Sequence, residues 1–198
     1  MDPAKRPASY EDLLALPDGV RAEILDGELI VTPSPLPRHA RAQGALSRTI
    51  GGPFDGDHGR GGPGGWWILP EVDLRLSDHD IVRPDMAGWR RERLPDPWDL
   101  RPIDVVPDWI CEITSPTSVS IDRVKKRRLY AEHGVAWYWI IDPQARTLEA
   151  LRLDGTTWIE VGSYSDEQSA RIAPFDAVVI EVGRLFAPSD AREGETST

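Results

Sequence analysis

The sequence predicts an α/β (α+β) fold, and three observations carry the prediction. Short apolar segments rich in β-branched and aromatic residues recur along the chain, Asp-Gly turns stand at 26–27 and 154–155, and one well-bounded helical stretch separates two apolar segments. With 198 residues, 40% of them apolar, the chain has enough material for one ordinary core and too little for two large ones. A single domain over residues 1–186 is therefore expected, followed by a disordered tail of small and polar residues at 187–198.

The elements follow in order. Ser9, with Asp12 three positions later, forms a capping-box start for a short helix through about Leu16, which Pro17-Asp18-Gly19 ends. Asp26-Gly27 separates Val20 to Leu25 from Glu28 to Thr32, and such a two-residue loop favours the primed turn that matches strand twist. A helix is predicted from Arg38 to Ile50. Gly51 to Gly65 contains eight glycines and no aliphatic residue, so it reads as a flexible surface loop. Trp67 to Leu76 and Ile81 to Trp89 read as two antiparallel strands around a polar turn, and a proline-rich connection leads to a strand from Asp108 to Thr114.

Ser118 to His133 is predicted helical, with Thr117, Ser118 and Ser120 as N-cap oxygens and Gly134 at the left-handed C-terminal position. A buried strand from Ala136 to Ile141 follows, then antiparallel strands Thr147 to Leu153 and Trp158 to Val161, and a last strand from Val178 to Val182.

Composition narrows the function classes. Cys111 is the one cysteine, so no internal disulfide forms, and a reducing compartment suits it. The first residues lack an apolar signal core and no apolar run approaches membrane-spanning length, so a cytosolic protein is expected. A net charge of -10 weighs against broad attraction to nucleic acid, which normally draws on a basic surface. Arg123 to Arg128 is a local basic concentration, although most of its members read as a solvated helix face.

Candidate chemistry lies on three elements. In Trp109-Ile110-Cys111-Glu112-Ile113-Thr114, strand alternation puts Glu112 on a face with Ile110 and Thr114, and a carboxylate there needs a cation, a metal or a donor beside it. A strand-end salt bridge explains Glu112 as well as a metal site does. Asp85 follows Pro84, which lacks a backbone donor and belongs at an edge or bulge where a side chain is re-aimed. Two hard oxygen ligands and a helix lysine form the set that a magnesium-assisted phosphoryl hydrolysis uses. Asp122, Lys126 and Tyr130 recur every four residues and so form one row on the helix; by periodicity alone an ordinary surface pair is the favoured reading.

The order of short blocks is more specific than any one of them. Arg21-Ala22-Glu23-Ile24-Leu25-Asp26-Gly27-Glu28, Arg83-Pro84-Asp85, Pro107 to Pro116, Asp122-Lys126-Tyr130, Gly134-Val135 and Tyr138 to Pro143 together resemble the Uma-two-type endonucleases, a branch of the PD-(D/E)XK nuclease superfamily. The resemblance runs from Tyr10 to Phe186. It implies a restriction-endonuclease-like core, a mixed β-sheet flanked by α-helices, with Asp85 and Glu112 as metal ligands for Mg2+ (or Mn2+ in its place) and Asp85, Glu112 and Lys126 as the catalytic set. The parent superfamily carries its lysine two residues after the glutamate, where this chain has Thr114; the family pattern places it on the next helix, at Lys126. Glu23, Asp122, Tyr130 and His39 take supporting roles; Glu23 adds a metal-shell carboxylate or serves as a plain ion-pair partner.

Other features are discounted. Trp66-Trp67 and Trp137-Tyr138-Trp139 read as packing, Asp78-His79-Asp80 and Asp55 to His58 as solvated turns, and Cys111 as core; Glu71 and Asp73 read as a wet sheet face, although one of them approaches Asp85 in some hairpin registers. The leading function is a metal-dependent endonuclease hydrolysing nucleic-acid phosphodiesters, DNA ahead of RNA, with a homodimer suggested by superfamily analogy. The alternatives are a catalytically inactive interaction module of the same fold and a hydrolase of a small phosphoester.

Overall fold

The structure, a computed structural model, describes residues 6–55, 62–116 and 118–188. The elements run α1 (Tyr10–Leu14), β1 (Arg21–Leu25), β2 (Glu28–Thr32), α2 (Pro37–Asp55), β3 (Trp66–Pro70), β4 (Leu74–Ser77), β5 (Asp80–Val82), β6 (Met86–Arg90) and β7 (Trp109–Ile113). A π-helical segment, Ile121–Lys126, runs into α3 (Arg127–Glu132), followed by β8 (Trp137–Asp142), β9 (Thr147–Asp154), β10 (Thr157–Ser165), β11 (Ser169–Ala170), β12 (Ile180–Glu181) and a 3-10 turn, Val182–Leu185. A six-stranded sheet has the order β10-β9-β8-β7-β6-β3, and a four-stranded one the order β2-β1-β5-β4. All pairs are antiparallel except β7 with β8, which needs a crossover; the π-helical segment and α3 supply it.

Local chemistry explains most of these elements. Ser9 and Asp12 form the reciprocal capping box at α1. Asp26 and Gly27 both take positive φ, the requirement of the primed turn between β1 and β2, and Gly134 takes φ 75 just past α3. On α2, Ala42, Ala45, Leu46 and Ile50 form the buried stripe.

Two expectations are corrected. α2 continues past Ile50, so residues 51–55 of the glycine-rich stretch are helical. The physical reason is Phe54, which is buried against Phe175 with ring centroids 4.9 Å apart, a tertiary contact that outweighs the poor propensity of Gly51-Gly52-Pro53. The rest of that loop at 56–61, Thr117 and the tail from 189 lie outside the described residues. The long hairpin expected from Trp67 to Trp89 is likewise four strands. It breaks at Glu71, with φ 52, and at Pro84-Asp85, so β3 and β6 pair in the large sheet while β4 and β5 pair in the small one. Pro84 has no N–H to give a ladder, so pairing stops there.

β7 is buried along its whole length. Trp109, Cys111 and Ile113 join α2, Trp139 and Phe175 in one core, whereas Ile110 joins Tyr138, Ile140 and Leu129 in the other. The aromatic segments singled out in the sequence are packing, as expected. Among the described residues, no helix is long and apolar enough to cross a membrane.

Trp109 and Trp139 meet edge to face at 5.4 Å, and both are fully buried. Only Trp139 has a partner for its indole N–H, the Ala173 carbonyl at 2.9 Å; Trp109 Nε1 has none among the described residues. Trp139→Phe is expected to cost about 1 kcal/mol more than Trp109→Phe, because only the former removes the donor of a part-buried carbonyl. Urea unfolding of the two variants checks this; equal losses would contradict it.

Candidate active site

Register brings the first two carboxylates together. β6 and β7 pair Met86 with Cys111, Ala87 with Ile110 and Gly88 with Trp109; one further step sets Asp85 opposite Glu112. The Pro84 break frees Asp85 from the ladder, and its Oδ2 accepts the Ile113 N–H at 2.6 Å while Oδ1 lies 3.0 Å from His39 Nε2. His39 enters from the first turn of α2. Both residues are buried, and His39 Nδ1 has no hydrogen-bond partner among the described residues.

The second half of the site is a buried ammonium among carboxylates. Lys126 Nζ lies 2.8 Å from Glu23 Oε1 on β1, 3.0 Å from Glu112 Oε1 on β7 and 3.9 Å from Asp122 Oδ1 one turn back. Tyr130 donates its phenol to the same Glu112 Oε1 at 2.6 Å, and the Arg83 N–H donates to Glu23 Oε1 at 2.6 Å. The wider π turn keeps Asp122 and Lys126 on a common inner face; Lys125, its neighbour, is half exposed and pairs instead with Glu28 at 3.2 Å.

Three buried carboxylates surround one ammonium, so the acids outnumber the cation they share. Burial would push the Lys126 ammonium down, but Glu112, Glu23 and Asp122 outweigh it and hold its pKa well above the ordinary lysine value. Glu112 is pushed well up by burial, with Asp122, Asp85 and Glu23 adding to the rise and Lys126 opposing it. Asp122 is pushed up to about 6, again by burial. Burial, reinforced by Glu112, keeps Tyr130 a neutral phenol, and burial likewise keeps Cys111 a thiol.

A cleft of about 500 Å³ opens over this cluster. Glu23, His39, Asp85, Glu112, Asp122 and Lys126 line it, together with Arg21 and Arg83. Every predicted site residue is thus brought to one place, Tyr130 from beneath. Thr114, two residues after Glu112, donates its hydroxyl to the Ile141 carbonyl at 3.3 Å. Among the described residues, no three His, Cys, Asp or Glu side chains converge on one point fit for a metal ion. The carboxylates are arranged around Lys126.

Gln43 is not singled out by the sequence, and Glu71 and Asp73 are discounted there. Gln43 Nε2 donates to the Asp85 carbonyl at 2.9 Å and to Glu71 Oε1 at 3.2 Å, and Glu71 Oε2 accepts from Arg21 at 2.7 Å. Asp73 pairs with Arg83 at 2.6 Å and with Arg101 at 3.3 Å and accepts the Tyr10 hydroxyl at 3.1 Å. Glu71 and Asp73 are therefore tied into the walls of the cleft, contrary to the wet-face expectation; the break at Glu71, which ends strand alternation, is the reason. The basic run is mostly neutralised: Arg123 pairs with Glu149 at 2.6 Å and Arg128 with Asp26 at 2.6 Å.

A mixed sheet flanked by helices, with a buried carboxylate pair at the meeting of β6 and β7, defines the restriction-endonuclease-like fold class. The model of the Uma2 family, described as "Putative restriction endonuclease", matches residues 8–182, and the chain belongs to that family. In fold it is similar to a crystal structure titled as a putative nuclease belonging to DUF820 from Anabaena variabilis, with a TM-score of 0.71, 20% identity, and coverage of 91% of this chain and 98% of that one. None of the curated proteins matches.

Because folded Asp122 keeps its proton to about pH 6 whereas an unfolded aspartate releases it near 3.8, this residue makes stability fall as pH rises between those values. Asp122→Asn is expected to flatten that part of the profile and to raise stability at pH 7 by about 1–3 kcal/mol. Denaturant unfolding across pH 4 to 7 measures it; an unchanged slope would contradict the assignment.

Proposed function

We propose that this chain is a magnesium-dependent endonuclease that hydrolyses phosphodiester bonds of nucleic acid, with Asp85 and Glu112 as metal ligands and Lys126 as the catalytic cation. The observation that carries the reading is the buried Asp85–Glu112 pair beside a lysine held charged in a cleft. The donor set fits the ion: carboxylate oxygens are hard ligands, and magnesium keeps several waters, so one or two carboxylates suffice. Burial and mutual repulsion raise the pKa values of Glu112 and Asp122, and a divalent cation beside them would relieve that repulsion. Manganese, with similar oxygen preferences, is its expected substitute.

When bound, the ion supplies Lewis-acid polarisation of the phosphoryl group and a water of lowered pKa. The chain's own residues do the rest. Asp85 is fixed by the Ile113 N–H and His39, and Glu112 by Tyr130 and Lys126, so neither carboxylate has to be ordered during the reaction. Lys126, oriented by Glu23 and Asp122, places positive charge where negative charge builds up on the phosphoryl oxygens. DNA is preferred to RNA as substrate on the strength of the family's description.

Glu112→Gln keeps the shape and removes the ligand charge. Incubated with labelled duplex and single-stranded oligonucleotides in magnesium, the wild type is expected to cleave and the variant to lose at least about a hundredfold in rate, in line with removal of one transition-state charge partner. Chelator-resistant cleavage, or equal rates in the two proteins, would refute the proposal.

A further inference from the structure

Lys126 is enclosed by carboxylates at the proposed reaction centre, so it serves the scissile phosphate alone. Any other substrate phosphate entering the cleft needs another donor, and among the described residues the other cations lining that cleft are Arg21 and Arg83. They differ in what they have left to offer. Arg83 commits Nε and one terminal nitrogen to Asp73, at 2.7 and 2.6 Å, inside the group that also holds Arg101 and Tyr10. Arg21 commits only NH1, to Glu71 Oε2. Its Nε and NH2 have no protein acceptor among the described residues, and the side chain is partly exposed in the cleft wall.

Arg21 is also positioned with respect to the reaction centre. The Asp85 carbonyl accepts from Gln43, Gln43 donates to Glu71, and Glu71 holds Arg21, so a relay of three side chains from α2, the β3–β4 break and β1 links the guanidinium to the backbone of a proposed metal ligand. Burial works against the charge on Glu71, yet Arg21 and Gln43 outweigh it and leave its pKa lowered, so it is an anion when it holds Arg21. A partly exposed pair of this kind contributes on the order of 1 kcal/mol to stability, too little to account for so specific an arrangement. A planar guanidinium with two nitrogens unengaged is the donor geometry that suits a phosphate diester.

The basic run of the crossover helix offers little substitute. Arg123, Lys125 and Arg128 of the basic run are each paired with a carboxylate, and the whole chain carries -10. Strand binding must then draw on a few well-placed donors more than on a broad field.

We infer that Arg21 is the phosphate clamp of the cleft, binding a backbone phosphodiester of the substrate strand, and that Glu71 and Gln43 position it. The inference rests on the phosphodiesterase reading for the identity of the anion. Binding of a fluorescein-labelled single-stranded oligonucleotide, followed by anisotropy in calcium so that binding is read apart from cleavage, tests it. Arg21→Ala is expected to weaken binding by about ten- to a hundredfold, the loss of one charge-assisted contact, and to lower the slope of log Kd against log salt by roughly one. Arg21→Lys restores part of the affinity and Glu71→Gln loses a smaller share, while the melting temperature and the manganese affinity of all three stay at the wild-type level. Wild-type affinity in Arg21→Ala, or a loss matched by falls in melting temperature and manganese affinity, overturns the clamp. So does a wild-type protein that binds no oligonucleotide. If the wild type binds through Arg21 but cleaves nothing, the nuclease reading fails and the clamp stands; if it cleaves with a KM that Arg21→Ala leaves unchanged, the reverse holds.

Discussion

Lys126 Nζ lies within 4 Å of carboxylates from β1, β7 and its own helical turn, and much of the molecule is arranged so that this contact can exist. An ammonium and its carboxylates taken out of water each lose several kcal/mol of solvation, and the attraction recovered seldom exceeds that loss, so such a cluster is poor evidence of stability. Apolar residues of similar volume would hold these elements together at least as well. Retaining the charges makes sense if the cleft needs them, and a net-negative pocket beside a fixed cation is suited to holding a divalent ion against a phosphate.

The fold meets the geometric demand by breaking regular structure where the site lies. Pro84 ends the small sheet and releases Asp85, while the β6–β7 register sets it opposite Glu112. The crossover from β7 to β8 starts in a π turn, which directs Asp122 and Lys126 inward together. Glu71 bends the chain with a positive φ and so leaves the strand face that alternation would give it. Departures of this sort cost local stability and tend to gather at functional sites.

Legibility in the sequence follows the range of the interactions. The β1–β2 hairpin, the start of α1, the crossover helix as a helix and the strand bearing Glu112 are set by neighbours a few residues apart, and all were readable from turn chemistry, capping and periodicity. Asp85 and Glu112 were readable as candidates because a proline-aspartate step and an acid on an apolar strand are local anomalies. Lys126 emerged from family resemblance, since an aspartate–lysine pair four residues apart is commonplace on helix surfaces. Arg21, Gln43 and Glu71 could not be read as a group: they meet across 28 to 50 positions of chain, through the docking of α2 on the sheet. The two sheets hidden in one apparent hairpin escaped for a related reason, as the apolar pattern runs on through breaks that only tertiary pairing reveals.

Net acidity, the main objection to a nucleic-acid enzyme, looks different once the ion pairs are known. The basic run of the crossover helix is largely spent on holding that helix to β1, β2 and β9, so it adds little to a general field. The proposed chemistry requires that the cleft bind a divalent ion between Asp85 and Glu112. A crystal soaked in manganese and measured at an anomalous wavelength tests it most directly. An anomalous peak beside Asp85 and Glu112 is the expected result; no peak there, or one only at surface carboxylates, would overturn the metal site.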